Sequence, residues 1–320
     1  MHVCSSIVDC IGHTPLVRLD RFYPPHGGVS LFAKLEFLNP GGSVKDRIGL
    51  SMIDDAEARG VLRPGGTIIE PTAGNTGIGL ALVGAVRGYR CILVIPDRFS
   101  REKQDLIRAM GAEVVNTPAQ DGIDAAIARA HELAQQIPGA VVMQQFANPA
   151  NPDGHYHTTG REIWEALDGR VDAVVMGAGT GGTFTGVARY LKERNPDLYA
   201  VLALPYGASL GQGYCGPHKV EGIGVDKVEQ VPVLDLSLVD RVIVVRDEDT
   251  HRANLALARS EAILAGGSSG TAAHAARVVA AEIAAGSLSL KGGHVVTLLP
   301  DGAERYLSQH IYGTFDEWTR

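Results

Sequence analysis

The stretch Asn39-Pro40-Gly41-Gly42-Ser43-Val44-Lys45-Asp46-Arg47 puts an amine where a helix should begin. Two glycines and a proline end the apolar run Leu31–Leu38, and Ser43 offers an N-cap hydroxyl to the helical pattern Ile48, Met52, Ile53, Ala56. Lys45 then falls in the first helical turn, where unpaired N–H groups and a partial positive charge disfavour a protonated amine. That makes it a candidate nucleophile. By position alone, a solvated lysine at a helix start is the commoner case, so the assignment needs companions elsewhere in the chain.

Two loops supply them. In Ile68-Ile69-Glu70-Pro71-Thr72-Ala73-Gly74-Asn75-Thr76-Gly77 an apolar run passes through small residues into a helical pattern, so main-chain N–H groups and hydroxyls converge on a positive helix end. With Thr72 and Thr76 as donors a carboxylate is the natural guest; an ordinary strand-to-helix turn is the competing account. Gly177-Ala178-Gly179-Thr180-Gly181-Gly182-Thr183 repeats the arrangement with more glycine, which suits main-chain amides closing on phosphate oxygens. Gly177, Gly179 and Gly182 also occupy the three glycine places of a dinucleotide fingerprint, so a nicotinamide-dependent oxidoreductase has to be weighed. That reading expects an acidic residue about 20 positions on, and the next apolar run ends Ala203-Leu204-Pro205 without one. A third stretch, Gly266-Gly267-Ser268-Ser269-Gly270, reads alone as a helix cap, and Pro300-Asp301-Gly302 as a turn.

The elements that must bring these stretches together follow from periodicity. With 320 residues, 45% hydrophobic and 20% charged, the chain can bury about two domain cores, which excludes disordered and collagen-like classes. A net charge of −7 spread along the chain gives no basic face for nucleic acid and no polybasic membrane segment, so small-molecule partners are expected. No apolar run is long enough to span a bilayer, and Met1–Val8 lacks the features of a secretory signal, so a cytoplasmic protein is expected. Cys4, Cys10, Cys91 and Cys215 have no metal-ligand spacing, and no metal is expected.

Short apolar or β-branched runs at Pro15–Leu19, Leu31–Glu36, Thr67–Glu70, Cys91–Ile95, Glu113–Asn116 and Val141–Gln145 alternate with helical patterns at Ser43–Arg59, Thr76–Val86, Arg101–Met110 and Gly122–Gln136. A second series follows: runs at Val171–Met176, Tyr199–Leu204, Arg241–Val245 and His294–Leu299, with helical patterns at Thr158–Ala166, Thr183–Arg194, Glu248–Leu264 and Thr271–Ala284. Alternation of this kind predicts an α/β fold of two doubly wound, mostly parallel sheets. The two prolines of Asn148-Pro149-Ala150-Asn151-Pro152 break both patterns and mark the expected crossing between units.

An amine at a helix start, a carboxylate cradle, a phosphate cradle and a serine pair suit a phosphorylated aldehyde held as a Schiff base, with an amino-acid substrate. That is pyridoxal 5'-phosphate chemistry. From Gly12-His13-Thr14-Pro15-Leu16 to Pro300-Asp301-Gly302-Ala303-Glu304-Arg305-Tyr306 the chain resembles the cysteine synthase and cystathionine β-synthase family of fold-type II pyridoxal phosphate enzymes. The resemblance implies a tryptophan synthase β-like fold with the active site in the cleft between domains. It divides the chain into a smaller domain, 41–147, and a larger one, 1–40 plus 148–320, carrying the phosphate loop. A homodimer goes with the family.

It also implies roles. Lys45 would bond the cofactor and later move the Cα proton. Asn75 would hydrogen-bond the cofactor's ring oxygen, and Thr72, Ala73, Asn75, Thr76 and Gln145, with Gly222, would hold the substrate. Gly179, Thr180, Gly181, Gly182 and Thr183 would hold the phosphate, and Ser268 would face the pyridine nitrogen. Lys219-Val220-Glu221-Gly222-Ile223-Gly224 is similar to the glycine loop that closes on substrate in this family, and its glutamate is similar to that of the cystathionine β-synthase branch, with Glu221 assisting the nucleophile. Together with Glu-Pro-Thr-Ala-Gly-Asn-Thr-Gly, this points to bacterial cystathionine β-synthases that prefer O-acetylserine. The expected reaction is β-replacement on O-acetylserine or serine by homocysteine, with cysteine synthase, using sulfide, as the alternative. Three departures from the family pattern stand out: Ala73 in place of serine, His13 in place of asparagine, and Leu204 where an acidic residue usually precedes the proline.

Overall fold

The computed structural model describes residues 3–72, 74–97, 99–210, 216–225, 227–309 and 311–312; Ala73 and Cys215 lie outside them. Strands β1 (Leu16–Arg18) and β2 (Ser30–Leu35) lead into helix α1 (Lys45–Ala58). Then come β3 (Thr67–Pro71), α2 (Asn75–Arg87), β4 (Arg90–Pro96), α3 (Arg101–Ala109), β5 (Glu113–Thr117), α4 (Gly122–Gln136) and β6 (Val141–Val142). The remainder runs α5 (Ala150–His155), α6 (Arg161–Ala166), β7 (Ala173–Gly177), α7 (Gly182–Lys192), β8 (Tyr199–Pro205), β9 (Arg241–Val245), α8 (Asp247–Glu261), α9 (Gly267–Ala284) and β10 (His294–Leu299).

These strands form two sheets, one of order β5-β4-β3-β6 and one of order β1-β2-β10-β7-β8-β9. Every pairing is parallel except β1 with β2. Parallel strands buried on both faces need apolar side chains on both, and that is what the runs supply. In the larger sheet Ala173, Val175, Val201 and Val295 pack against Leu257, Ala276 and Val279 of α8 and α9. The alternate residues Val174, Met176, Ala200, Leu202 and Val296 pack against Phe184, Val187 and Leu191 of α7. In the smaller sheet Ile68 and Leu93 face α1 and α2, and Ile69, Ile92 and Val94 face Ala126 and Ala130 of α4. Leu204 is fully buried in the larger core, away from any cleft. Among the described residues no helix is long and apolar enough to cross a membrane.

Several boundaries differ from those the sequence predicts. Helix α1 begins at Lys45 rather than Ser43; Val44 holds the N-cap position in helical conformation, and the Ser43 hydroxyl accepts from the Lys45 N–H at 3.2 Å. The strand expected over Val141–Gln145 stops after two residues. Gln144 turns to φ +58, and the N–H groups of Gln144 and Gln145 leave the sheet to donate to the buried Glu70 carboxylate at 2.8 and 3.0 Å. Pro149 and Pro152 do not break a helix but open one, α5, because the first helical turn has no intrahelical N–H bonds for a proline to lose. A π-helical turn, Tyr156–Gly160, joins α5 to α6, so the helical stretch starts well before Thr158. The glycines Gly267 and Gly270, expected in a loop, lie in the first turn of α9.

One close approach matters for the site. A Cβ on Gly79 of α2 would stand 2.6 Å from the Lys45 carbonyl oxygen, so α2 and α1 touch backbone to backbone. That contact draws the starts of the two helices, at Lys45 and Asn75, together.

Candidate active site

Parallel strands collect their loops at their carboxyl ends, where ligands of such sheets bind. Here β3 leads to Thr72, β7 to Gly179, and β10 to Asp301, and all three border one cavity of about 660 Å³. Lys45, Asn75, Thr76, Gln145, Thr180, Gly181, Thr183, Ser268, Glu221 and Gly222 also line it. Gly182 is the exception among the expected phosphate residues: its Cα packs on the Asn151 side chain, behind the wall. Ala73 lies outside the described residues.

Lys45 is half-buried in this wall, and among the described residues its Nζ has no hydrogen bond or ion pair. Burial lowers its pKa from 10.5 to about 8, opposed only by the charge of Asp301. An amine in that state keeps a far larger neutral fraction near physiological pH than an ordinary lysine, and the neutral form is the nucleophile.

At the start of α7, Gly181 sits at φ +86 with its Cα against Leu234, where a Cβ would come within 2.5 Å of the Leu234 Cβ. The Thr180 Oγ1 accepts from Asn151 Nδ2 at 3.1 Å and from the Gly182 N–H at 3.2 Å, which leaves the hydroxyl hydrogen to donate. Thr183 Oγ1 pairs with His155 Nε2 at 3.1 Å, and burial pushes that imidazole down to about 3, so it is neutral. The loop 216–225 lies over this turn, held by the Gly224 N–H donating to the Ala178 carbonyl at 2.9 Å. The turn from Gly177 to Thr183 therefore offers amides, hydroxyls and a helix N-terminus, with no carboxylate among them, a donor set that fits a phosphate dianion.

At the start of α2 the Thr72 hydroxyl accepts from the Gly74 N–H at 3.1 Å, and Thr76 Oγ1 donates to Gln145 Oε1 at 2.6 Å. Gln145 is fixed in turn by donating to the Pro71 carbonyl and by the bonds of its main chain to Glu70 and Asn151. Ser268, 5% exposed in the first turn of α9, has no hydrogen-bond partner among the described residues and keeps its hydroxyl for the cavity.

The sequence reading left out a group of residues on the remaining wall. Asp301, taken for a turn residue, is buried and accepts from Asn75 Nδ2 at 2.7 Å and from the Tyr306 hydroxyl. Arg305 Nη1 donates to Asn75 Oδ1 at 2.8 Å. Lys103 of α3 donates to the Tyr306 hydroxyl and to Glu221 Oε2, each at 3.0 Å, and Gln309 Nε2 reaches the other Glu221 oxygen at 2.8 Å. Glu221 thus stands paired rather than free. The signal available for Asp301 was its place, a carboxylate directly after an apolar parallel strand.

His13, the other departure in the first motif, has φ +48, a left-handed conformation in which asparagine and histidine are both enriched. Its N–H donates to Glu162.

Comparisons with known proteins identify the family. The family described as "Pyridoxal-phosphate dependent enzyme" matches residues 7–301. The chain is 45% identical to the O-acetylserine dependent cystathionine beta-synthase of Bacillus subtilis (strain 168), over 98% of this chain and 99% of that one. It is 43% identical to a protein named cysteine synthase of Helicobacter pylori, over 98% of this chain and 100% of the relative. The crystal structure of the O-acetylserine dependent cystathionine beta-synthase from Helicobacter pylori superposes with a TM-score of 0.91 at 43% identity, covering 98% of this chain and 100% of that one. The chain belongs to the family of pyridoxal-phosphate-dependent enzymes, and its cofactor is pyridoxal phosphate.

Proposed function

We propose that this chain replaces the β substituent of O-acetylserine or serine with a thiol, and that the thiol is homocysteine, giving cystathionine. What carries the reading is one shared cavity in which an amine without a counter-ion stands between two helix-end anion cradles. Bound pyridoxal phosphate supplies an aldehyde that an amine can bond and a ring that delocalises the electron pair left on a substrate carbon.

In this reading the chain's own residues do the rest. Gly179, Thr180, Gly181 and Thr183 hold the phosphate through their amides and hydroxyls, with Gly182 backing the turn against Asn151. Thr72, Asn75, Thr76, Gln145 and Gly222 hold the amino-acid substrate, with its carboxylate on the N–H groups that open α2. Ser268 offers the ring nitrogen a neutral hydroxyl, which does not favour a protonated ring; electron withdrawal is then modest, and expulsion of the β substituent is favoured over a long-lived carbanion. Lys45, whose pKa lies near 8, takes the Cα proton as a neutral amine and holds it at Nζ as ammonium. Acetate leaves the β carbon as the anion, or the serine hydroxyl leaves as water once protonated; Lys45 Nζ returns a proton to Cα as the thiol sulfur bonds at the β carbon, the thiol's own proton being released. Glu221, at the cavity edge, accepts that proton once it parts from Lys103.

The preference for homocysteine is supported by the name of the Bacillus subtilis relative and by the outer cavity wall. Phe99, Ile123 and Ile127 add apolar surface to the cavity lining, which suits the methylene stem of an amino-acid thiol. Sulfide is the second reading, favoured by the name of the Helicobacter pylori relative. The test is a nucleophile panel on purified holoenzyme: kcat/KM for homocysteine, sulfide and cyanide, each with O-acetylserine and with serine. The account expects O-acetylserine with homocysteine to lead. A lead for sulfide would make the chain a cysteine synthase, and no turnover with any pair would reject β-replacement. In Glu221→Gln the homocysteine rate should fall about 100-fold, as general-base loss usually costs, and the sulfide rate less.

A further inference from the structure

Asn75 lines the cavity, and the family resemblance gives its side chain to the cofactor's ring oxygen. A carboxamide can exchange its oxygen and nitrogen by turning over, so the end a ligand meets has to be set by neighbours. Here both ends are committed. Nδ2 donates to Asp301 Oδ2 at 2.7 Å, and Oδ1 accepts from Arg305 Nη1 at 2.8 Å. Turning the amide over would face its NH2 toward a guanidinium that cannot accept and its oxygen toward a carboxylate that cannot donate. Two attractive contacts would become two repulsive ones. Asp301 and Arg305 are 1% and 3% exposed, so water screens little of that difference.

The two residues are themselves held by further partners. The Tyr306 hydroxyl donates to the same Asp301 oxygen, and Lys103 donates to that hydroxyl at 3.0 Å. The Asp301 main chain accepts from the Gly266 N–H at 2.9 Å. Arg305 donates through its other terminal nitrogen to the Gly41 carbonyl, and its own carbonyl accepts from Ser100 Oγ at 3.2 Å. Asp301 Oδ1, buried beside Gly266, has no partner among the described residues. One oxygen of this carboxylate is thus given to orienting Asn75 while the other stays buried beside Gly266.

We propose that Asp301 and Arg305 are positioning residues that fix the Asn75 amide in one orientation, so that Asn75 meets the cofactor's ring oxygen as a hydrogen-bond donor. The inference rests on the cofactor reading above, and it assigns to the Pro300-Asp301-Gly302 turn and the Arg305 side chain a task exerted through Asn75.

A double-mutant cycle tests it with readouts other than turnover: the dissociation constant of pyridoxal phosphate from the apoenzyme and the position of the bound cofactor's visible band. Asn75→Ala and Arg305→Met should each weaken binding about tenfold, the effect of losing one hydrogen bond to a charged group, and each should move the band. The double variant should bind no more weakly than Asn75→Ala alone. Losses that multiply to about 100-fold would overturn the proposal, because Arg305 would then act without Asn75. Asp301→Asn provides an arm of unchanged shape: it should move the band clearly more when Asn75 is present than in the Asn75→Ala background, where only the lost charge beside Lys45 still acts. A shift of equal size in both backgrounds would also overturn it. If the wild-type apoenzyme bound no cofactor, the cofactor reading would fail and this inference with it; tight wild-type binding with multiplicative losses removes this inference alone.

Discussion

Two lysines eleven positions apart show what burial does with and without a counter-charge. Lys34 on β2 is 1% exposed, and its ammonium donates to the Thr14 carbonyl and to Glu162 Oε2 at 2.6 Å. Around it Arg47 donates to both oxygens of Glu36 and to both oxygens of Glu162, at 2.7 to 2.9 Å. Desolvation lowers the Lys34 pKa, but the two carboxylates oppose it, and each charge in the group has a partner. Lys45 is less deeply placed by exposure, yet desolvation there meets only Asp301, and the amine gives up its proton far more readily than an ordinary lysine. Burial alone does not make a nucleophile; burial without a counter-ion in contact does. The paired group ties β2, α1 and α6 together, and the unpaired lysine is left for chemistry.

The comparison breaks most visibly if the two lysine sites are interchangeable. Lys45→Ala should leave the thermal transition within a few degrees of wild type, since Lys45 caps nothing and pairs with nothing, yet abolish the visible cofactor band and most turnover. Loss of a covalent group costs at least about 4 kcal/mol of barrier. A retained band with near-normal kcat would mean the cofactor sits on another amine.

Glu162→Gln should show the opposite profile: a cofactor band in place, and stability to denaturant reduced by about 3–5 kcal/mol, the cost of stripping one partner from a buried ion group. Its pH dependence has a defined sign. Arg47 and Lys34 hold the Glu162 carboxyl down from 4.5 to about 2, so the stabilisation is complete above its unfolded value and is lost as pH falls from about 4.5 through about 2. Denaturation curves of wild type and variant should therefore differ fully at pH 6 and converge on acidification. A gap that widened toward low pH would contradict the assignment.

Gly181→Val sharpens the boundary of the site. A positive φ and the Leu234 side chain both oppose a β-branched residue, so the α7 turn should distort by about 1–3 kcal/mol and weaken cofactor binding roughly 10- to 100-fold, with little change at Lys45. Titration of the apoenzyme would reveal this, and unchanged affinity would mean that the phosphate lies elsewhere.

What the sequence disclosed and what it hid follow from how far each signal reaches along the chain. The alternation of apolar runs and helical patterns is local, and it gave the parallel sheets and the three helix starts that carry Lys45, Asn75 and Thr183. Lys45 was visible because a glycine-rich turn and a helix pattern flank it directly. Boundaries shifted where a distant partner intervened: Val141–Val142 stays short because Glu70 draws off the next two N–H groups, and Pro152 is tolerated because its helix begins only two residues earlier. Asp301, Arg305, Tyr306 and Lys103 were hidden for the same reason. Each is unremarked in its own neighbourhood and gains meaning only from Asn75 or Glu221, which folding brings across from other elements. The sequence presents Glu221 only as a carboxylate of the closing loop that assists the nucleophile, because its partner on α3 lies more than a hundred residues away.

The central claim is that Lys45, and neither the paired Lys34 nor the paired Lys103, is the amine that bears the cofactor. Reducing the wild-type holoenzyme with borohydride, digesting it and mapping the pyridoxyl-modified peptide by mass spectrometry tests this directly. The account predicts stoichiometric label on Lys45 in the Ser43-Val44-Lys45-Asp46 segment and none on Lys34 or Lys103. Label on either of those lysines, or a protein that takes up the cofactor yet traps none of it, would contradict it.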